Sequence, residues 1–196
     1  MSNRQADIIK TMNEREILFH LYLTQIILLI AAMILGFILF DSFTDFNNIW
    51  NIFSFDILLV GGSVGIIVLI LEFIMMKFVP KRLYDDGGIN ERLFQHRNVF
   101  HLFFLCSFIA FTEEILFRGV IQTHFGIIIA SSIFALMHIR YLYRWVLLLT
   151  VICLSFLLGY IYDMTENLWV SIFAHFIIDF VLALKIRYDF KKSMKK

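Results

Sequence analysis

The sequence predicts an all-α, polytopic membrane helical bundle of about six transmembrane helices with the N-terminus and the C-terminus cytoplasmic. Three observations predict it. Of 196 residues, 60% are hydrophobic and only 17% charged, against roughly 45–50% and about 25% in soluble domains. The apolar residues fall into six long runs with the charges swept between them, and about 20 apolar residues suffice to cross a hydrocarbon core of roughly 30 Å. Of the 17 Lys and Arg, 16 lie in alternate connecting segments: three before residue 17, five from Lys77 to Arg97, two at Arg140 and Arg144, and six from Lys185 onward. Cytoplasmic segments carry that excess.

Taken in order, residues 1–16 are polar with Arg4, Lys10 and Arg15, and residues 17–40 contain no charge. That run is too long for a signal-peptide core and no small-residue cleavage site follows, so it is expected to stay as the first span. Residues 41–56 hold Asp41, Asp45 and Asp56 but no Lys or Arg. The second span, 57–78, is interrupted by Glu72 and carries Gly61 and Gly65 at GxxxG spacing, a close-packing face. A basic loop leads to the third span, 99–121; a tight segment at 122–126 leads to the fourth, 127–139. The fifth is expected at 145–162 and the sixth at 168–184. Trp50, Trp145 and Trp169 fall at the expected interfaces, as an aromatic belt requires. Cys106 and Cys153 make no metal or disulfide pattern and read as small core residues. With no internal repeat or low-complexity linker, residues 1–196 read as a single integral membrane domain. Its expected partners are the lipid bilayer and no nucleic acid; contact of the basic tail with anionic lipid is the alternative to a simple orientation signal.

The stretch that demands an explanation is Phe-Thr-Glu-Glu-Ile-Leu-Phe-Arg at 111–118. Ionisable groups at membrane depth cost several kcal/mol, at least ~2.5 each, unless paired or facing a cavity. Residues four apart share a helix face, so Glu114 and Arg118 can pair. Glu113 points about 100° away from that partner. Two carboxylates so close resist double ionisation, the profile of a general base or acid. The competing reading makes Glu114–Arg118 a structural pair and lets Glu113 face a watery loop. Phe134 and His138 share one helix face, and His175 and Asp179 share another. A lone His in a membrane helix is usually a packing residue, but with Glu113 these groups come from three helices, as sites in bundles are built. His20, His96, His101 and His124 have no partner at a spacing that fits a site.

Glu-Glu-Ile-Leu-Phe-Arg-Gly (113–119), Phe-Ala-Leu-Met-His (134–138) and His-Phe-Ile-Ile-Asp (175–179) resemble the EExxxR, FxxxH and HxxxN/D motifs of the CAAX protease and bacteriocin-processing (Abi) family. Its eukaryotic branch is the type II CAAX prenyl endopeptidase. Gly159 and the 166–169 approach to the last helix also look like the family, and the family-like core spans about 99–184. The resemblance implies an intramembrane endopeptidase acting on a membrane-associated peptide or protein: a CAAX-type tail, a pheromone precursor or a bacteriocin leader. It implies that Glu113 and His138 hold the nucleophilic water and that His175 and Asp179 sit where the oxyanion is stabilised. Glu114 and Arg118 would brace the helix or contact substrate. An ionised Asp179, where the family often has Asn, would repel an oxyanion, so its expected task is to orient His175. A bacterial cell membrane suits the compact size and charge pattern.

No cofactor is expected. The alternative is zinc held by Glu113, His138 and His175, a three-ligand catalytic set, although there is no HExxH. Two other functions compete with proteolysis: a non-catalytic bacteriocin-immunity or regulatory scaffold of the same fold, and a transporter, for which no repeat symmetry speaks. Straight helices leave one conflict. Glu113 falls about 21 Å from the cytoplasmic end of its span and His175 about 10 Å from the outer end of its own, which agree, whereas His138 falls at the cytoplasmic end.

Overall fold

The computed structural model describes residues 11–138, 141, 142 and 144–195. Arg4, Lys10, Ile139, Arg140 and Lys196 of the expected charge and span boundaries lie outside the described residues. The described residues are helical and contain no strand. In chain order they form α1 (Glu14–Leu39), the short α2 (Phe43–Asn48), α3 (Ile57–Phe78, opening with a π-helical stretch Ile57–Gly62), the short α4 (Lys81–Tyr84) and α5 (Ile89–Phe94), then α6 (Val99–Glu114), its π-helical continuation Ile115–Gln122, α7 (Thr123–Met137), α8 (Trp145–Thr165) and α9 (Leu168–Ser193). Three of the long helices start on an Asn whose side chain accepts an early backbone N–H: Asn13, Asn98 and Asn167. This satisfies donors that a helix start leaves open.

Among the described residues, five apolar segments are long enough to cross a membrane: α1, α3, Val99–Met137, α8 and α9. The expected third and fourth spans are therefore one segment of 39 residues, which if straight would run about 58 Å, nearly twice the hydrocarbon thickness. It does not run straight. Gly126 has φ 81 and ψ 166, a conformation essentially reserved for glycine, and there the chain turns back. Arg118 and Ser131 would stand about 20 Å apart along a straight helix; their side chains lie 3.4 Å apart. The Phe117 and Phe134 ring centroids are 4.9 Å apart.

This hairpin corrects two expectations. Residues 122–125 are helical rather than a loop, because the π-helical continuation carries the helix on to the turn. The returning arm, 127–137, is roughly 16 Å long and does not reach the other side. Glu114 and His138 each stand twelve positions from Gly126, so the chain climbs and descends by equal amounts, and His138 arrives at the level of the carboxylates. The depth conflict came from treating a half-length arm as a full span.

The other helices follow the apolar runs, with α8 and α9 extending past their expected ends to Thr165 and Ser193. The GxxxG face of α3 packs on α9: a Cβ on Gly61 would lie 2.7 Å from the Val170 carbonyl oxygen, and one on Gly65 3.2 Å from Ile177. The basic segments gather at one end, where Arg97 donates to the Glu14 carbonyl and Arg187 to the Arg97 carbonyl, and Arg144 donates to the Arg82 carbonyl. At the opposite end the Leu168 N–H donates to the Ile49 carbonyl at 2.8 Å, and Trp50 packs on Trp169. His96, His101 and His124 contact Glu14, Tyr22 and the Val120 carbonyl, none of them an ionisable partner at helical spacing. Cys106 is buried as expected, whereas Cys153 is exposed.

The burial pattern is inverted relative to a soluble protein. Large apolar side chains such as Phe37, Phe100, Phe104 and Ile128 are exposed, while Glu114, Arg118, Gln25, Ser131, Ser155 and His175 are buried. Lipid as the outer solvent explains both halves of this arrangement, and the chain is an integral membrane protein. Because nothing lies near a Cβ placed on Gly126, a substitution there acts through the backbone alone. Gly126→Ala is expected to cost about 1–3 kcal/mol, read as a lower midpoint of thermal unfolding in detergent; an unchanged midpoint would show that the turn tolerates a side chain.

Candidate active site

The C-terminal turn of α6 and the π-helical stretch after it set the centre of the site. π-helical turns disturb the regular ladder and occur often at functional sites; here the stretch Ile115–Gln122 carries Arg118. Arg118 Nε lies 3.3 Å from Glu114 Oε2, with both side chains fully buried. The angle between them misses hydrogen-bond geometry, so this contact is an ion pair rather than a bidentate fork. The guanidinium spends its other donors elsewhere: on Ser155 Oγ of α8 at 2.9 Å, Gln122 Oε1 at 3.4 Å and Ser131 Oγ of α7 at 3.4 Å. Gln122 in turn donates to the Gly159 carbonyl at 2.8 Å and to Asp163 at 2.6 Å. A Cβ on Gly159 would sit 2.7 Å from Gln122 Oε1, so glycine is what lets α8 come this close.

The second oxygen of Glu114 holds His175. Nδ1 of His175 lies 2.9 Å from Glu114 Oε1, and Nε2 lies 3.5 Å from Asp179 Oδ2. The spacing of four on α9 does bring Asp179 to the imidazole, but at 3.5 Å that contact is at the weak limit of hydrogen bonding. Glu114, expected only to pair with Arg118, is the group that anchors the ring, so the orienting task expected of Asp179 falls mainly to Glu114. Glu114 is therefore consumed on both sides, whereas Glu113 is only partly buried. Glu113 lies within electrostatic reach of His175 and Asp179, and one of its oxygens accepts from Gln25 Nε2 of α1 at 3.1 Å.

Phe134 links the third motif to this cluster. Its ring lies between His138, stacked at 4.7 Å between centroids, and His175, edge-on at 6.5 Å, and Arg118 Cζ lies 5.5 Å from its centroid. His138 caps α7, with Nδ1 bonded to the Phe134 carbonyl at 2.9 Å. The three motifs thus converge on one region through the ring of Phe134. Among the described residues, no three His, Cys, Asp or Glu side chains are grouped as metal ligands, and this includes Glu113, His138 and His175.

Beside the cluster runs an open apolar groove of about 900 Å³ between α6, α9 and residues 52–58; Phe108, Phe111, Trp169, Ile172 and Phe176 are among its lining residues. Two of its lining residues, Ile172 and Phe176, lie three positions before and one after His175 on α9. Two contributors escaped the motif reading. Gln25 lies in a helix with only a topological likeness to the family, and its signal was a single amide on the buried stripe Ile17, Gln25, Leu28, Ala32. Ser155 was one hydroxyl in an apolar run.

A family model described as "Type II CAAX prenyl endopeptidase Rce1-like" matches residues 95–181, which contain all three motifs. The chain is also 46% identical over 167 residues to the "Uncharacterized protein YpbD" of Bacillus subtilis (strain 168), covering 85% of this chain and 88% of the relative. No solved structure matches.

Because Arg118 neutralises a sealed carboxylate, Arg118→Ala is expected to destabilise the protein by about 3–5 kcal/mol, the cost of stranding one member of a buried pair. Thermal unfolding in detergent measures it. Combining Arg118→Ala with Glu114→Gln is expected to recover part of the loss, and no recovery would mean that Arg118 acts through packing alone.

Proposed function

The chain belongs to the CAAX protease and bacteriocin-processing (Abi) family, and from that premise we propose that it is an intramembrane endopeptidase hydrolysing a peptide bond in a membrane-associated peptide or protein. The observation that carries the reading is the unequal treatment of the adjacent carboxylates. Glu114 is sealed between Arg118 and His175, while Glu113 is partly open and held by one amide. A general base needs a lone pair that is positioned but not consumed.

In the proposed reaction Glu113 takes a proton from a water that His138 helps to hold, and the oxygen attacks the peptide carbonyl carbon. The resulting oxyanion is met by an N–H of His175. With Nδ1 held at 2.9 Å by Glu114, that contact falls to Nε2, whose approach to Asp179 is the longer one at 3.5 Å, and donors fixed in advance where charge develops are the effective ones. Collapse breaks the C–N bond and the proton on Glu113 passes to the leaving amine. No metal takes part in this scheme. The apolar groove supplies a place for the hydrophobic side of a substrate next to the polar cluster. On the positive-inside count the basic end faces the cytoplasm, and the membrane is a bacterial cell membrane. Substrates of the pheromone-precursor or bacteriocin-leader kind fit that setting.

Purified Glu113→Gln is expected to lose about 10²–10⁴-fold in cleavage of a membrane peptide that the wild type cleaves, the span that general-base catalysis supplies, with an unchanged helical circular dichroism spectrum. Retained cleavage would sink the mechanism; a cellular phenotype that survives in both Glu113→Gln and His138→Ala at normal expression would favour the scaffold reading. Treatment with a strong chelator is expected to leave the wild-type rate unchanged; inhibition reversed by zinc would instead assign Glu113, His138 and His175 to a metal.

A further inference from the structure

We infer that Gln25 of α1 is a positioning residue for the Glu113 carboxylate, so that the site is completed by a helix lying outside the segment 95–181 that matches the family. The inference rests on the reading of Glu113 as the water-activating group.

An amide buried in a membrane helix must find partners, since each unsatisfied polar group in hydrocarbon costs several kcal/mol. Gln25 is 2% exposed and is the one polar side chain on the inward stripe of α1, between Ile17 and Leu28. Both ends of its amide point at α6. Nε2 donates to Glu113 Oε1 at 3.1 Å, and Oε1 accepts from the Thr112 hydroxyl. The direction of this chain follows from donor counting. A carboxylate only accepts, so Glu113 requires the NH₂ end of Gln25. The carbonyl end then needs a donor, and the buried Thr112 hydroxyl supplies one. That hydroxyl carries a single proton and also lies 2.9 Å from the Phe108 carbonyl and 3.1 Å from that of Ile109, so its proton is the part that sets the amide's orientation.

The geometry also explains why a second helix is needed. Glu114 is fixed by its own neighbour four residues on, whereas the face of α6 that carries Glu113 turns away from Arg118 and toward α1. Among the described residues Gln25 is the donor that holds the Glu113 rotamer, and a carboxylate that wanders by an ångström loses most of its value as a base.

The test needs no substrate. A hydrophobic carbodiimide modifies carboxyl groups in apolar surroundings, and mass spectrometry of the reconstituted full chain reports Glu113, Glu114 and Asp179 separately. Gln25→Met, which keeps the volume and removes the donor, is expected to raise the labelling rate of Glu113 about tenfold, the worth of a hydrogen bond to a charged group, while Glu114 and Asp179 stay unchanged. Thr112→Val is expected to shift Glu113 in the same direction by a smaller factor. Unchanged Glu113 labelling in Gln25→Met overturns the inference, and so does a rise shared equally by Glu114, which would report loosened packing instead. On the peptide used for Glu113→Gln, Gln25→Met is expected to lower kcat with KM unchanged; a normal kcat would also overturn the positioning role. Failure of the Glu113 reading shows up elsewhere, as cleavage that survives Glu113→Gln, and failure of the protease reading as a wild type that cleaves no membrane peptide.

Discussion

The ion pair between Glu114 and Arg118 is the contact on which the rest of the bundle depends. Two full charges held at 3.3 Å with no exposed surface are tolerable in hydrocarbon only because they neutralise one another and because the remaining polar atoms find partners. Those partners come from four places in the chain: Gln122 one turn on, Ser131 on α7, Ser155 on α8 and His175 on α9. Meeting them forces the chain to fold back at Gly126 and forces α8 to approach at Gly159. An apolar set of residues could pack the same volume at no electrostatic cost, so stability alone does not account for the pair. What it achieves is to fix the imidazole of His175 through Glu114 and to leave Glu113 as the carboxylate with capacity to spare.

Much of this was legible in the residues. Apolar runs bounded by charges located the long helices, and spacing of four identified Glu114–Arg118 and His175–Asp179 as neighbours. The split between a paired and an unpaired glutamate followed from helix geometry alone. The hairpin was harder to read, because residues 99–137 carry no Asp, Glu, Lys or Arg besides Glu113, Glu114 and Arg118, and nothing in such a run says how far a returning arm descends. Only the left-handed backbone at Gly126 and the cross-hairpin contacts of Phe117 and Arg118 reveal that the arm is short. The depth conflict at His138 traces to reading the short returning arm as a full span.

The remaining misses share a cause. Gln25 and Ser155 act across helices, and a single amide or hydroxyl in a long apolar run carries no periodic signal of its partner. The anchoring of His175 by Glu114 is of the same kind: spacing along α9 pointed to Asp179, while the shorter contact of 2.9 Å comes from α6.

Polar groups inside, apolar groups outside and an apolar groove between α6 and α9 suit the proposed hydrolysis of a membrane-associated substrate. The most direct test is to compare the membrane peptides that accumulate in cells lacking the protein with those in cells carrying only the Glu113→Gln form at normal expression. The account predicts the same uncleaved peptides in both. A Glu113→Gln strain whose peptides match the wild type would contradict it.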